Sequence, residues 1–177
     1  MWFELGGVRV AIESVLNFSQ TYEPLGGTAR LRMMGGGAVQ QVWWRRLRTT
    51  LSADGWWPPG LDGLDYDTPL TLLCAVPRQI QSASNVIVLP PNRRTDAGYT
   101  PLGYALVRGQ STQVGGGDLV PTPLALAGDT ATLTAVAGAA AYVAAWWPAL
   151  TVYADPPASE GDPTAGAHRW SLSAEEV

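Results

Sequence analysis

The chain has 177 residues, a formal net charge of −4, 46% hydrophobic residues and only 15% charged ones. That length fits one domain with a hydrophobic core, and the acidic balance argues against a general nucleic-acid binder, which gathers positive charge against phosphates. All 11 Lys+Arg residues are arginine, which excludes lysine chemistry, and the single Cys74 and single His168 exclude an intramolecular disulfide and a Cys/His zinc site.

The opening "MWFELGGVRV" has neither a basic start nor a long apolar stretch, so a cleaved secretion signal is not expected. Within it, "WFEL" and "VRVAI" flank Gly6-Gly7 as the arms of a tight hairpin would. "TARLRMM" alternates Leu31 and Met33 with Arg30 and Arg32, the period of a half-buried strand. After a Gly35-Gly36-Gly37 turn, "AVQQVWWRRLRTTLS" carries Val39, Val42, Trp43, Leu47 and Leu51, and its Trp, Val and Thr content favours a long strand. "DGWWPPGLDGLDY", residues 54–66, crowds two tryptophans, two prolines and three glycines into a loop. "TPLTLLCAV" and "NVIVLP" read as buried strands, with Cys74 a small buried hydrophobe and "PRQIQSASN" between them a turn or short helix.

"PPNRRTDAGYTP" places Arg93 and Arg94 in an exposed loop, and "GYALVRGQ" resumes a strand before a Gly115-Gly116-Gly117-Asp118 turn. "TATLTAV" and "YVAAWWPALTVYA" look like hairpin arms turning near Ala137-Gly138-Ala139. The uncharged run 130–154 is long enough for a bilayer, but its alanine, threonine, Gly138 and Pro148 content favours strands. "ADPPASEGDPTAGAH" reads as a surface loop and "RWSLSAEE" as a final strand. Regularly spaced short strands predict an all-β fold, a split β-barrel or sandwich with room for one short helix. One domain over residues 1–177 is expected, with extended loops near 52–67, 90–101 and 155–168.

No catalytic constellation stands out. His168 has no G-x-S-x-G elbow to serve, and Asp62, Asp65 and Asp67 depart from calcium-loop spacing while suiting a turn. Glu13, Glu23, Glu160, Glu175 and Glu176 are scattered, and the triple glycines match no phosphate-binding fingerprint. Neither enzyme activity, a cofactor nor a metal is expected. The tryptophans carry the signal: eight, with three adjacent pairs at Trp43-Trp44, Trp56-Trp57 and Trp146-Trp147. Neighbours on a strand face opposite ways, so a strand pair sends one ring to the core and one outward, where a loop, another subunit or a ligand must cover it. With so little charge on the chain, assembly is favoured, and the interface candidates are Trp44, Arg45, Arg46, Trp56, Trp57, Arg93, Arg94 and Trp147. Stacked indole faces also suit sugars, so a carbohydrate-binding β-sandwich is the alternative.

The run "VWWRRLRTTLSADGWWPPGLDGLDYDTPLTLLC" and the later "WWPALTVYADPP…HRWSLSAEEV" resemble small tail-tip proteins of long-tailed bacteriophages. The family's pattern is a strand leading into a "GW-PPGL" loop, an "LDY…PL-L-C" strand and a closing "W-L-AEEV"-like strand. The resemblance spans residues 38–74 and 146–177. It implies a distal tail protein of the virion: a ring, hexameric by family, that ends the tail tube and anchors the baseplate hub. Tail tube protein, hub protein and tape measure protein are then the implied partners, and assembly in the bacterial cytoplasm is implied. The position along the tail stays open among distal ring, tube subunit and terminator, since the chain lacks room for the added carbohydrate-binding-like domain of larger members.

Overall fold

Alternating apolar residues and glycine turns make almost every element of this chain a strand. The computed structural model describes residues 2–107, 118–162, 164 and 166–177; the expected turn at Gly115-Gly116-Gly117 lies outside them. The first strands are β1 (Glu4–Leu5), β2 (Val8–Arg9), β3 (Ser19–Arg32), β4 (Ala38–Gly55) and β5 (Leu70–Leu73), with a 3₁₀ turn at Ile12–Ser14. Then come β6 (Arg78–Ser82), β7 (Val86–Val88), β8 (Leu102–Leu106), β9 (Leu119–Thr122), β10 (Leu124–Ala127) and β11 (Thr130–Leu133). The last are β12 (Ala141–Trp146), β13 (Ala149–Ala154), β14 (Ala158–Asp162) and β15 (Ala167–Glu176). The fold is all-β, and its sheets are open rather than closed into a barrel. Contacts group it into two compact units, Met1–Leu72 with Thr151–Val177, and Leu73–Leu150.

The first unit is built on a sheet in the order β2-β1-β5-β13-β15-β4-β3, with β14 added on β15. Gly6 and Gly7 both take positive φ, 57° and 83°, the mirror-image turn that matches strand twist, and they set Leu5 opposite Val8. From Thr49 onward β4 alternates as a half-buried strand should, with Thr49, Leu51, Ala53 and Gly55 inward. Trp170 and Leu172 of β15 join Leu51, Phe3, Leu5 and Leu61 among the buried residues. The Phe3 ring stacks on Phe18 at 5.4 Å and tilts against Trp170 at 5.6 Å. Burying an indole leaves its N–H to be satisfied, and Trp170 Nε1 donates to the Ser14 carbonyl at 2.8 Å.

The second unit holds a four-stranded sheet, β6-β12-β8-β9, and a three-stranded one, β10-β11-β7. Their shared core comprises Ile87, Leu89, Ala105, Val107, Ala131, Leu133, Tyr142, Ala144 and Trp146. All six residues of β12 are buried, so both faces of this strand are covered. Cys74 is buried and free of a disulfide.

Four expectations are corrected. Arg78–Ser82 is a strand, not a turn or short helix, because its backbone pairs with β12. Thr130–Leu133 and Ala141–Trp146 are not arms of one hairpin: the first pairs with β7 and β10, the second with β6 and β8. The surface loop expected at 155–168 contains β14, exposed along its whole length yet paired with β15 over five residues. Arg94 is not in solvent: it is 2% exposed, although the surrounding segment 90–101 is a loop as expected. No helix among the described residues is long and apolar enough to cross a membrane.

Candidate interaction surface

The long strand expected after the triple glycine forms, and its pairing with β3 runs well past the body of the sheet. β15 covers β4 only from Arg48 to Gly55, whereas β3 pairs with it from Ser52 back to Ala38. Beyond Arg48 the two strands therefore continue as a two-stranded ribbon. From Pro24 through Arg46 not one residue is buried. At roughly 3.3 Å per residue, the stretch from Ala38 to Leu47 extends about 30 Å.

Cross-strand partners share a face, so the register assigns the side chains. One face of the ribbon carries Thr28 with Val42, Arg30 with Gln40, Arg32 with Ala38, and Arg45 opposite Gly26. The other carries Leu25 with Arg46, Trp44 opposite Gly27, Ala29 with Gln41, and Leu31 with Val39. Pairing shifts between Gly27 and Thr28, so Trp43 is the extra residue of a β-bulge. This bulge overturns the expectation of one inward and one outward ring here: Trp43 is 66% exposed and Trp44 50%. The half-burial expected of Leu31 and Met33 fails for another reason: the ribbon runs beyond the body of the sheet, and both are exposed. The ribbon has an apolar face and a cationic face, but no core.

Arg45 and Arg46, both interface candidates, sit at the root of the ribbon and are exposed. Arg46 donates through Nε to the Val177 carbonyl, and the neighbouring Arg48 pairs with Glu175. That carboxylate, by hydrogen bond and then by charge, raises the Arg48 pKa above its ordinary value. Arg30, Arg32 and Arg45 form no ion pair among the described residues.

Trp56 and Trp57, the other candidates of this unit, follow the opposite end of β4 and are 62% and 66% exposed. Their loop is pinned beneath them. The Trp56 N–H donates to the Glu13 carbonyl at 2.7 Å, the Ser14 hydroxyl to the Pro58 carbonyl at 2.9 Å, and the Tyr66 hydroxyl to the Leu61 carbonyl at 2.9 Å. Pro59 and Leu61 are buried, and Gly60 turns the chain at φ 71°. Burial, and then the nearby Asp62 charge, raise the Tyr66 pKa. Asp62, Asp65 and Asp67 are all exposed, and Asp65 Oδ1 accepts the Asp67 N–H, the turn role expected of it. A groove of about 350 Å³ on β4, β14 and β15 is lined by Asp54, Glu160, Asp162, His168 and Arg169. Asp54 and Arg169 are already paired there at 2.9 Å, which raises the Arg169 pKa. His168 lies in β15, half-buried against Gly161, rather than in a solvated loop. Among the described residues no group of three His, Cys, Asp or Glu side chains gathers to hold a metal ion.

The remaining candidates belong to the second unit and are spent within it. Arg94 donates from Nε and Nη2 to both oxygens of Asp96, at 2.9 and 2.6 Å, and from Nη1 to the Cys74 carbonyl at 2.8 Å. Its guanidinium lies 3.3 Å from the centroid of Tyr99, whose ring meets Trp147 edge-on at 5.5 Å. Trp147 is half-buried and donates Nε1–H to the Ala75 carbonyl at 2.9 Å, while Trp146 is the inward ring of that pair. Arg93 binds Asp129 at 2.8 Å and the Pro90 and Gly128 carbonyls at 2.7 Å each. These residues fix the 90–101 loop instead of presenting it.

Missing from the sequence-based candidates are Arg30, Leu31, Arg32, Val39, Val42 and Trp43. The signal for them was present: between Pro24 and Leu47 the chain holds four arginines and no acid. No protein-family model, no curated protein and no solved structure matches the chain.

Proposed function

We propose that this protein is a structural component of a bacteriophage tail tip that works by assembling into a ring, joining tail tube to baseplate hub. One observation carries the assembly part of the reading: the β3–β4 ribbon beyond Arg48, which exposes Trp43, Trp44, Leu31, Met33, Val39 and Val42 without a core of its own. Monomeric proteins rarely leave such a patch uncovered, and a two-stranded ribbon alone is marginally stable in water. The tail-tip part rests on the resemblance of residues 38–74 and 146–177 to that family. A closed ring needs two different complementary faces on each copy, and the first unit offers two unlike exposed surfaces.

A second reading, a carbohydrate-binding β-sandwich module, is favoured by the exposed Trp56 and Trp57 and by a groove in the same unit lined by Asp54, Glu160, Asp162, His168 and Arg169. Indole faces and planar polar groups are what sugar recognition uses. Solution mass with negative-stain images, for the protein alone and with tail tube protein, separates the two. Rings support assembly; a monomer that binds a glycan and loses it on Trp57→Ala supports the module.

A further inference from the structure

Charge is distributed unevenly along β4 in a way that assembly alone does not require. The ribbon from Pro24 to Leu47 carries Arg30, Arg32, Arg45 and Arg46 and no acid, a local charge of +4 in a chain of net −4. At the other end of the same strand, residues 56–72 carry Asp62, Asp65 and Asp67 and no base. Both ends expose a tryptophan pair, Trp43-Trp44 and Trp56-Trp57. Ten residues of continuous strand separate Arg45 from Gly55, about 33 Å. β4 thus holds a cationic, tryptophan-bearing ribbon and an acidic, tryptophan-bearing loop at opposite ends of one continuous strand.

We infer that the occupant of the ribbon is the acidic loop of a second copy of this chain, so that each copy gives its ribbon to one neighbour and receives another on residues 56–67. This rests on the assembly reading above and names its two faces. Charge complementarity selects the partner: every acid of the chain lies outside the ribbon, and three exposed ones fall on one loop. A ribbon cannot satisfy its own loop, because β4 holds the two apart. The contact is therefore head to tail, the kind that closes into rings. It is also made through faces rather than edges. Within the ribbon both β3 and, beyond Arg48, β4 are free edges, but Pro24 removes a donor from β3 and the bulge at Trp43 breaks the regular spacing of β4. Arginines steer and register the docking, and the desolvated indoles supply its hot spot.

The test is a charge exchange read by sedimentation. In one chain Arg30, Arg32 and Arg45 are changed to Glu; in the other, Asp62→Arg and Asp67→Arg are made, leaving Asp65 to hold its turn. Each variant alone sets like charges at the contact, and its self-association weakens on the order of 100-fold. Mixed in equal amounts, the two restore assembly, because the reversed ribbon fits the reversed loop and the native ribbon fits the native loop. A wild-type chain that assembles and keeps assembling with its ribbon reversed overturns this pairing and leaves the ring reading standing. A wild-type chain that stays monomeric at every concentration, alone and with tail tube protein, overturns both. Binding of that monomer to anionic vesicles through the ribbon would identify a lipid surface as the true occupant.

Discussion

The indole nitrogen of Trp44 occupies the place a side chain would take at Gly27: a Cβ built there would stand 2.6 Å from it. Glycine inside a strand ordinarily weakens it. Here it seats the larger ring on the apolar face of the ribbon. Gly27→Ala is expected to push that indole off its seat. No residue of the ribbon is buried, so thermal stability changes by less than about 0.5 kcal/mol. Self-association falls several-fold. Sedimentation and thermal melts on the same sample check both halves.

Excising the ribbon makes the same separation in the extreme. Replacing residues 28–43 by Asn-Gly joins Gly27 to Trp44, already cross-strand partners, through a two-residue turn suited to a hairpin. The shortened chain should keep its urea midpoint, since the buried part of β4 begins at Thr49. It should not assemble. Loss of the fold instead would mean that the ribbon nucleates β3–β4 pairing.

Arg94 is the opposite case, an arginine whose role is internal. Its fork bonds Asp96 and the Cys74 carbonyl and stacks on Tyr99. Arg94→Ala should destabilise the protein by about 3 kcal/mol, because it strands the carbonyl and carboxylate and opens a void. Arg94→Lys should recover little of this, since an ammonium lacks the planar fork and the stacking surface. Urea unfolding of both variants measures the difference.

The same pair sets a pH dependence. The hydrogen bonds from Arg94 lower the Asp96 pKa below the ordinary carboxylate value. A carboxylate whose folded pKa is depressed stabilises the fold fully above its unfolded value, about 3.9 for aspartate. That contribution is lost as pH falls through the folded value. Stability should therefore decline below about pH 4, and Asp96→Asn should flatten this limb while lowering stability at neutral pH. Unfolding midpoints between neutral pH and acid give the slope; an unchanged slope in the variant would assign the acid limb to other carboxylates.

The elements legible in the sequence are those whose pattern is local. The hairpin at Gly6-Gly7 and the closing strand "RWSLSAEE" follow from turn glycines and apolar spacing, and the structure has them where expected. What alternation does not state is whether a face has anything against it. Leu31 and Met33 alternate with arginines as a half-buried strand would, yet the ribbon leaves the body before burying them. β14 shows the converse: "ASEGD" has poor strand propensity and no buried residue, and it forms because β15 offers a backbone edge. The burial of Arg94 is illegible for a related reason: Asp96 is two residues along the same loop, but the Cys74 carbonyl that the guanidinium also holds lies twenty residues earlier, and such closure leaves no periodic trace.

Gly55 tests whether the Trp56-Trp57 loop must be held in place to act. It ends β4 without a positive φ, so its glycine is needed for space rather than for φ. A Cβ there would come within 2.6 Å of Ser14 Cα, backbone of the 3₁₀ turn. That turn accepts the Trp56 N–H and the Trp170 indole N–H, and so links core to loop. Gly55→Ala should cost about 1–3 kcal/mol by overpacking, as the turn is forced away. Gly63→Ala, in the same loop with open space around it, is the control and should be near neutral. If the loop is a preorganised docking face, Gly55→Ala should also weaken assembly at temperatures where it remains folded, while Gly63→Ala does not. Equal assembly by both would mean that the tryptophans dock without the turn beneath them.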